Sequence, residues 1–112
     1  MIAVIFEVIP NHGMLDPYLE IAAGLKPELE QIDGFISVER FQSLTTHGKY
    51  LSVSFWRDEA ALTEWRNRPH HRSAQNAGRT EMFEGYRLRV AEVLRDYSDT
   101  EREQAPADAI DL

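Results

Sequence analysis

The fold is decided by residues 51–79, LSVSFWRDEAALTEWRNRPHHRSAQNAGR, which contain both tryptophans and two of the four histidines of the chain. The stretch begins as an apolar strand, and Asp58 then supplies a side chain that can cap a helix with Trp65 on its apolar face. Pro69 is typical of the start of a second, short helix, and Gly78 of its end. The pattern therefore predicts a strand, a helix, a turn and a short helix in succession.

The segments around this stretch predict the rest of a sheet. Residues 2–9 are mostly β-branched or aromatic, largely apolar on both faces, and end at the turn residues PNHG. Residues 35–44 and 49–57 flank the turn TTHG and predict a hairpin. Residues 83–97 predict a long last strand, because apolar side chains alternate along most of it. Four strands are thus expected.

A helix is predicted between the first two strands. Asp16 can cap it, with Pro17 at the first helical position. Pro27 lies inside the helical pattern and predicts a kink or a break near residues 24–26. The apolar residues of this helix recur at helical spacing and form one stripe that faces the core: Tyr18, Ile21, Ala22, Leu25, Leu29 and Ile32.

Strict alternation assigns the side chains of the second and third strands to two faces. In the second strand Phe35 and Ser37 share one face, and Val38 and Arg40 lie on the other. In the third strand, LSVSFW, two serines fall on one face and bulky apolar residues on the opposite face. Such small residues admit a ligand or lie beneath a packed helix, and the sequence leaves both interpretations open.

The resulting order, β-α-β-β-α-β, is that of an α+β, ferredoxin-like domain with a four-stranded antiparallel sheet. The helices cover one face of the sheet, and the other face, which is also apolar, needs a second cover. Packing of two sheets face to face supplies it, so we expect a homodimer through the sheet faces, a dimeric α+β barrel. The domain is predicted to span residues 1–97, and the acidic residues 98–112 to form a tail or an arm on the partner subunit.

Composition limits the partners. The net charge is −7 and no basic stripe is visible, so nucleic acid is not expected as a partner. The absence of cysteine excludes disulfides and thiolate chemistry and fits a reducing cytoplasm. The apolar N-terminal segment is too short to span a bilayer and lacks a basic leader region. We therefore expect a cytoplasmic protein that binds a small molecule and has no membrane partner.

The sequence gives little support to a metal or a cofactor. His70 and His71 are adjacent, so on a helix their side chains diverge by about 100°. No HxxxH pair or carboxylate cluster completes a metal site. There is also no glycine-rich phosphate loop and no dinucleotide-binding fingerprint. No bound metal or cofactor is therefore predicted.

A small, partly aromatic pocket with histidine as the proton-transfer group is the site that the residues favour. His71 and Gln75 are four residues apart on the short helix and share one side of it, and Trp65 lies just upstream. These three are the candidate catalytic residues, and the competing interpretation places such side chains in the core or on the surface. The candidate substrate-binding residues can stack on a flat ligand or hold an anionic oxygen: Phe83, Tyr86, Arg40 and Arg79.

Over about residues 1–97 the chain resembles the antibiotic biosynthesis monooxygenase family of dimeric α+β barrel proteins. The resemblance rests on the start of the first strand, on IDGFISVERFQS, on YLSVSFWRDEAALTEWRNRPHHRSAQNAGR and on FEGYRLRVAEV. One branch of that family oxidises quinol or polyketide-like aromatic substrates with O₂ and without metal, flavin or haem. The resemblance implies a cofactor-independent monooxygenase that acts on a small aromatic or enolisable substrate. His71 would be a base or hydrogen-bond partner, Trp65 a pocket wall, and Gln75 and Arg79 orienting groups.

A second branch of the family implies an alternative, a haem-binding or haem-degrading monooxygenase. That branch uses an asparagine of the first strand, a helix tryptophan and a histidine ligand. Trp65 matches the tryptophan, the asparagine position falls near Phe6, and the ligand position falls at Gln75, one helical turn from His71. A further alternative is a non-enzymatic, ligand-binding or stress-related dimer, since a fold does not fix a function.

Overall fold

The computed structural model describes residues 1–69, 72–73 and 82–109. The elements follow in the order β1 (Ile2–Pro10), α1 (Leu15–Glu30), β2 (Phe35–Gln42), β3 (Tyr50–Trp56), α2 (Glu59–Arg66) and β4 (Phe83–Glu92). The strands form one antiparallel sheet with the order β2-β3-β1-β4. The predicted α+β, ferredoxin-like architecture is confirmed. No helix in the described parts of the chain is both long and apolar enough to cross a bilayer.

β1 lies inside the sheet, paired with β3 along one edge and with β4 along the other. Its successive side chains point to opposite faces, as in any strand. Val4 and Val8 are buried on the face that the helices cover. Ile5 lies on the other face, where it pairs with Val53 of β3. Because both faces of β1 are apolar, an inner position is the one that removes most of its surface from water.

Helix α1 differs from the prediction at two points. It begins at Leu15 with Met14 as the capping residue and without a side-chain cap, so the predicted capping role of Asp16 is wrong. Asp16 lies in the first turn instead, where a negative charge interacts favourably with the helix dipole. The predicted break at Pro27 does not occur, since the helix continues to Glu30. Pro27 is exposed and has no N–H group, so the helix lacks one backbone hydrogen bond on its solvent side.

The core lies between the helices and the sheet in two clusters. The larger cluster unites β1, α1, β3 and α2 and contains Val4, Leu29, Ile32, Trp56, Ala61 and Trp65. The smaller one contains Val8, Tyr18 and Met82. Trp56 is 1% exposed, and its indole nitrogen donates to the Ser54 hydroxyl at 2.9 Å. The burial of the indole ring therefore leaves its one polar atom satisfied.

The start of β2 corrects the predicted face assignment. The pairing of β2 with β3 shifts between Phe35 and Ser37, because Phe35 lies opposite Trp56 and Ser37 lies opposite Phe55. Phe35 consequently packs edge-on against Trp56, with ring centroids 5.3 Å apart, on the same face as Val38. Strict alternation had placed Phe35 and Val38 on opposite faces. A bulge changes the face of one residue without any signal in the alternation itself.

Asp58 caps α2 as predicted, since its carboxylate accepts a hydrogen bond from the Ala61 backbone nitrogen at 2.9 Å. This hydrogen bond, with the neighbouring Arg57 guanidinium, holds the pKa of Asp58 below its usual range. Arg57 also donates to Asp33 at 3.2 Å, and its backbone nitrogen donates to the Gly34 carbonyl at 2.7 Å. The start of α2 is thereby fixed against the turn that precedes β2.

The acidic tail is described up to residue 109. The Ser98 hydroxyl accepts hydrogen bonds from the backbone nitrogens of Thr100 and Glu101. Arg102 donates to the Ala109 carbonyl at 2.7 Å, and its guanidinium lies 5.4 Å from the centroid of the Tyr97 ring. These contacts are local to the segment, which remains a predicted tail or arm.

Two glycines with positive φ provide a matched test of the contact between the β2 turn and α2. A Cβ at Gly34 would lie 2.8 Å from the Ala61 Cβ, whereas a Cβ at Gly48 would meet nothing within 4 Å. We expect Gly48→Ala to cost about 1 kcal/mol through backbone strain alone. Gly34→Ala should cost about 1–3 kcal/mol more, because the side chain also overpacks. Urea unfolding measures both, and equal losses would show that the close approach does not matter.

Candidate functional site

An open, mostly apolar cavity of about 240 Å³ lies between the two helices and the sheet. α1 contributes a wall of one polar aromatic ring and four aliphatic side chains, namely Tyr18, Ile21, Ala22, Leu25 and Leu29. α2 contributes Leu62, Trp65 and Arg66. The stripe predicted for α1 therefore forms the cavity wall as well as part of the core.

The floor of the cavity consists of two rows of paired residues that cross the sheet from β2 to β4. One row is Arg40, Ser52, Phe6 and Leu88, and the next is Val38, Ser54, Val4 and Val90. Three strand spacings of about 4.8 Å give each row a length of about 14 Å. The two serines are the smallest residues of the floor, and the side chains beside them leave open space above.

One polar contact in the cavity joins β2 to α1. The Arg40 Nε donates to the Tyr18 hydroxyl at 3.5 Å, and the Arg40 Cζ lies 5.8 Å from the centroid of the Tyr18 ring. Tyr18 is buried, whereas Arg40 is exposed at the rim. Among the described lining residues the charged ones are Arg40 and Arg66, and none is acidic. Both charged side chains of the described lining are therefore cationic.

Aromatic rings close the end of the cavity near the start of β4. The Phe83 ring lies 5.9 Å from the Phe6 centroid and 5.4 Å from the Tyr18 centroid. Tyr86 contacts Phe6 and Phe83, at 5.9 and 6.3 Å between centroids, but it is 53% exposed and does not line the cavity. Offset and tilted rings of this kind present flat apolar surface to a ligand.

The structure brings some of the candidate residues together. Trp65, Phe83 and Arg40 all line the cavity, and Trp65 is also part of the larger core cluster. Three further candidates, together with most of the predicted short helix, lie outside the described residues: His71, Gln75 and Arg79.

Several cavity residues were not among the candidates. Tyr18 was assigned to the core, where its ring does pack, and its hydroxyl was the signal of a second role. Ser52 and Ser54 were left between two interpretations, and both line the cavity floor. By the resemblance, the asparagine position of the haem-degrading branch falls near Phe6. Phe6 presents an apolar ring to the cavity, which offers no hydrogen bond to a ligand.

Potential metal ligands do not cluster in the described parts of the chain. No group of three histidine, cysteine, aspartate or glutamate side chains there could hold a metal ion. His12 and His47 lie in exposed turns, as the sequence predicted.

Comparison with known proteins identifies the class. The family model described as "Antibiotic biosynthesis monooxygenase" matches residues 1–77, more than half of the chain. The chain belongs to the antibiotic biosynthesis monooxygenase family.

Particular relatives refine this picture. The chain is 48% identical over 101 residues to a protein named "Jasmonate monooxygenase ABM" from Pyricularia oryzae. The alignment covers 90% of this chain and 47% of that protein. The chain spans about half the length of the curated relatives it matches.

Solved structures share the fold at low sequence identity. Rv0793 from Mycobacterium tuberculosis superposes with a TM-score of 0.76 at 20% identity, over 87% of this chain and 98% of that one. SnoaB from Streptomyces nogalater, described as a cofactor-independent oxygenase, superposes with a TM-score of 0.72 at 12% identity. That superposition covers 85% of this chain and 94% of SnoaB.

Substitution of Ser52 tests whether the space above the floor admits a ligand. Leucine at this position would fill the centre of the floor, so Ser52→Leu should weaken the binding of a flat aromatic such as 1-naphthol by about tenfold or more. Ser52→Ala removes the hydroxyl without filling the space and should keep most of the affinity. Isothermal titration calorimetry measures both, with thermal melting as the control for folding. Unchanged affinity in Ser52→Leu would place the ligand elsewhere.

Proposed function

We propose that the protein is a cofactor-independent monooxygenase that oxidises a small aromatic or enolisable substrate with O₂ in this cavity. The observation that carries the proposal is the apolar, aromatic-walled cavity beside Trp65, the helix tryptophan of the family motif. Membership of the family supports it. So do the relative named as a jasmonate monooxygenase and the structural neighbour described as a cofactor-independent oxygenase.

The cavity suits a reaction in which the substrate supplies the electrons. Loss of a proton from an activated CH₂ group gives an enolate, whose carbon forms a bond to O₂ and yields a peroxide after protonation. Cleavage of the O–O bond with loss of the second C–H proton leaves a carbonyl group and releases water. One oxygen atom enters the product, the other is reduced to water, and the CH₂ carbon provides all four electrons.

The described residues surround the substrate and orient it in the cavity. Phe6 and Phe83 are half-buried and offer apolar ring surface to an aromatic substrate, and Trp65 lines the cavity beside them. Phe83 closes one end and Arg40 supplies positive charge at the other. The proposal assigns proton abstraction to His71, with Gln75 and Arg79 as orienting groups, on the family resemblance.

The proposal includes a homodimer that packs through the face of the sheet opposite the helices. That face carries Ala3, Ile5, Phe41, Leu51, Val53 and Phe55. Its central carboxylate, Glu7, is paired within the chain to Lys49 at 3.5 Å and to Arg89 at 3.2 Å. The hydrogen bond from Arg89 holds the pKa of Glu7 below its usual range. Because the Glu7 charge is paired in this way, the apolar side chains around it can pack against a second sheet.

Oxygen uptake with anthrone, a flat aromatic with an acidic CH₂ group, tests the reaction. We expect uptake of one O₂ for each anthraquinone formed, label from ¹⁸O₂ in the new carbonyl, and no loss of rate after treatment with a chelator. Trp65→Phe should lower kcat/KM by about tenfold, because a smaller ring stacks less well, with circular dichroism as the control for folding. Uptake no faster than without protein, across anthrones and quinols, would contradict the proposal.

Analytical ultracentrifugation tests the dimer. The wild-type protein should sediment as a dimer at micromolar concentration. Val53→Lys should sediment as a monomer, because it places a charged side chain beside Ile5 in the face that the two sheets would bury. Leu19→Lys is the matched control, since Leu19 is an exposed apolar residue of α1, away from that face, and should leave the dimer intact. A monomeric wild-type protein would refute this part of the proposal.

A further inference from the structure

Arg40 lies at the β2 end of the cavity floor, where its guanidinium contacts Tyr18. The guanidinium lies against Tyr18, with its Nε 3.5 Å from the phenol oxygen and its Cζ 5.8 Å from the ring centroid. Tyr18 belongs to α1 and is 9% exposed, so the contact ties the rim of β2 to a buried side chain. An arginine that is already positioned loses less side-chain entropy when it binds an anion.

The terminal nitrogens of Arg40 are available for that purpose. Its Nε makes the bond to Tyr18, which leaves Nη1 and Nη2, a pair that fits the two oxygens of a carboxylate. Among the described residues no carboxylate forms an ion pair with Arg40, and the described lining of the cavity contains no acid. The Tyr18 hydroxyl accepts from Arg40 and keeps its own proton to donate.

One of the two floor rows runs from a charged side chain to an apolar one. From Arg40 the row passes Ser52 and Phe6 and ends at Leu88, about 14 Å away at three strand spacings. The parallel row ends at Val90, which is equally apolar. Arg40 is the one charged residue of these two rows, so the floor favours a ligand with one charged end and one apolar end whose charge lies at β2.

We infer that the substrate is an amphipathic carboxylate, with its carboxylate on Arg40 and Tyr18 and its apolar body over Phe6 and Leu88. The inference rests on the function proposed above and adds the class and the orientation of the substrate. Arg40 is exposed at the rim, where a permanent anion retains part of its hydration. An oxyanion that forms only during the reaction would instead need the enclosed interior near Trp65. Arg40 is thus a binding residue for the head group.

A matched pair of ligands tests the inference without turnover. 1-Naphthylacetate and 1-naphthylacetamide have the same aromatic body and differ in the charge of the head group, and 4-phenylbutyrate with its amide forms a second pair. Calorimetry on the wild-type protein should show at least one acid binding more tightly than its amide, by about tenfold to a hundredfold, as expected for a charge-assisted contact.

Arg40→Gln should remove that preference by weakening the binding of the acid and leaving that of the amide unchanged. Arg40→Lys should retain part of the preference, because lysine keeps the positive charge but cannot make the bidentate contact of a guanidinium. Arg95→Gln removes the same charge from an exposed residue that does not line the cavity, and it should behave as the wild type.

The inference is overturned if the acids bind no better than the amides, if neither pair binds, or if the preference survives in Arg40→Gln. Circular dichroism of Arg40→Gln shows that a lost preference is not a loss of folding. Oxygen consumption is recorded separately. An intact preference for the acid without oxygen uptake would count against the proposed oxygenation and leave the head-group site standing.

Discussion

The constraint on which the structure depends is that β1 is apolar on both faces and hydrogen-bonded along both edges. A strand of this kind cannot lie at the border of a sheet or face water without a large loss of buried apolar surface. One face is satisfied by α1 and α2, which pack on Val4 and Val8. The other face has no helix to cover it among the described elements, and it is the face through which the proposed dimer would pack.

The cavity follows from how the helices rest on the sheet. Large side chains, Trp56 and Trp65 above all, fill the space between the sheet and the helices at one end of the layer. Ser52 and Ser54 are too small to fill the space that these rings create, so the layer stays open over the centre of the sheet. Within the described residues, the open space therefore comes from size differences between neighbouring strand residues.

Sequence reasoning reached the order of elements, the apolar stripe of α1 and the Asp58 cap, because each depends on local spacing or on one side chain. It failed where a distant contact decides the outcome. The bulge at Phe35 follows from the packing of that ring on Trp56, and the continuity of α1 through Pro27 follows from burial on either side of the proline. The contact of Arg40 with Tyr18 joins β2 to α1, so the sequence around either residue could not predict it.

The arrangement of the indole rings has an optical consequence. The chain contains two tryptophans, and both line the cavity. Trp56 is 1% exposed with its nitrogen bonded to Ser54, and Trp65 is 7% exposed. Excitation of the native protein in the indole absorption band thus excites only tryptophans that line this one cavity. The emission colour and intensity then report the dryness and occupancy of that compartment, with no label attached to the chain.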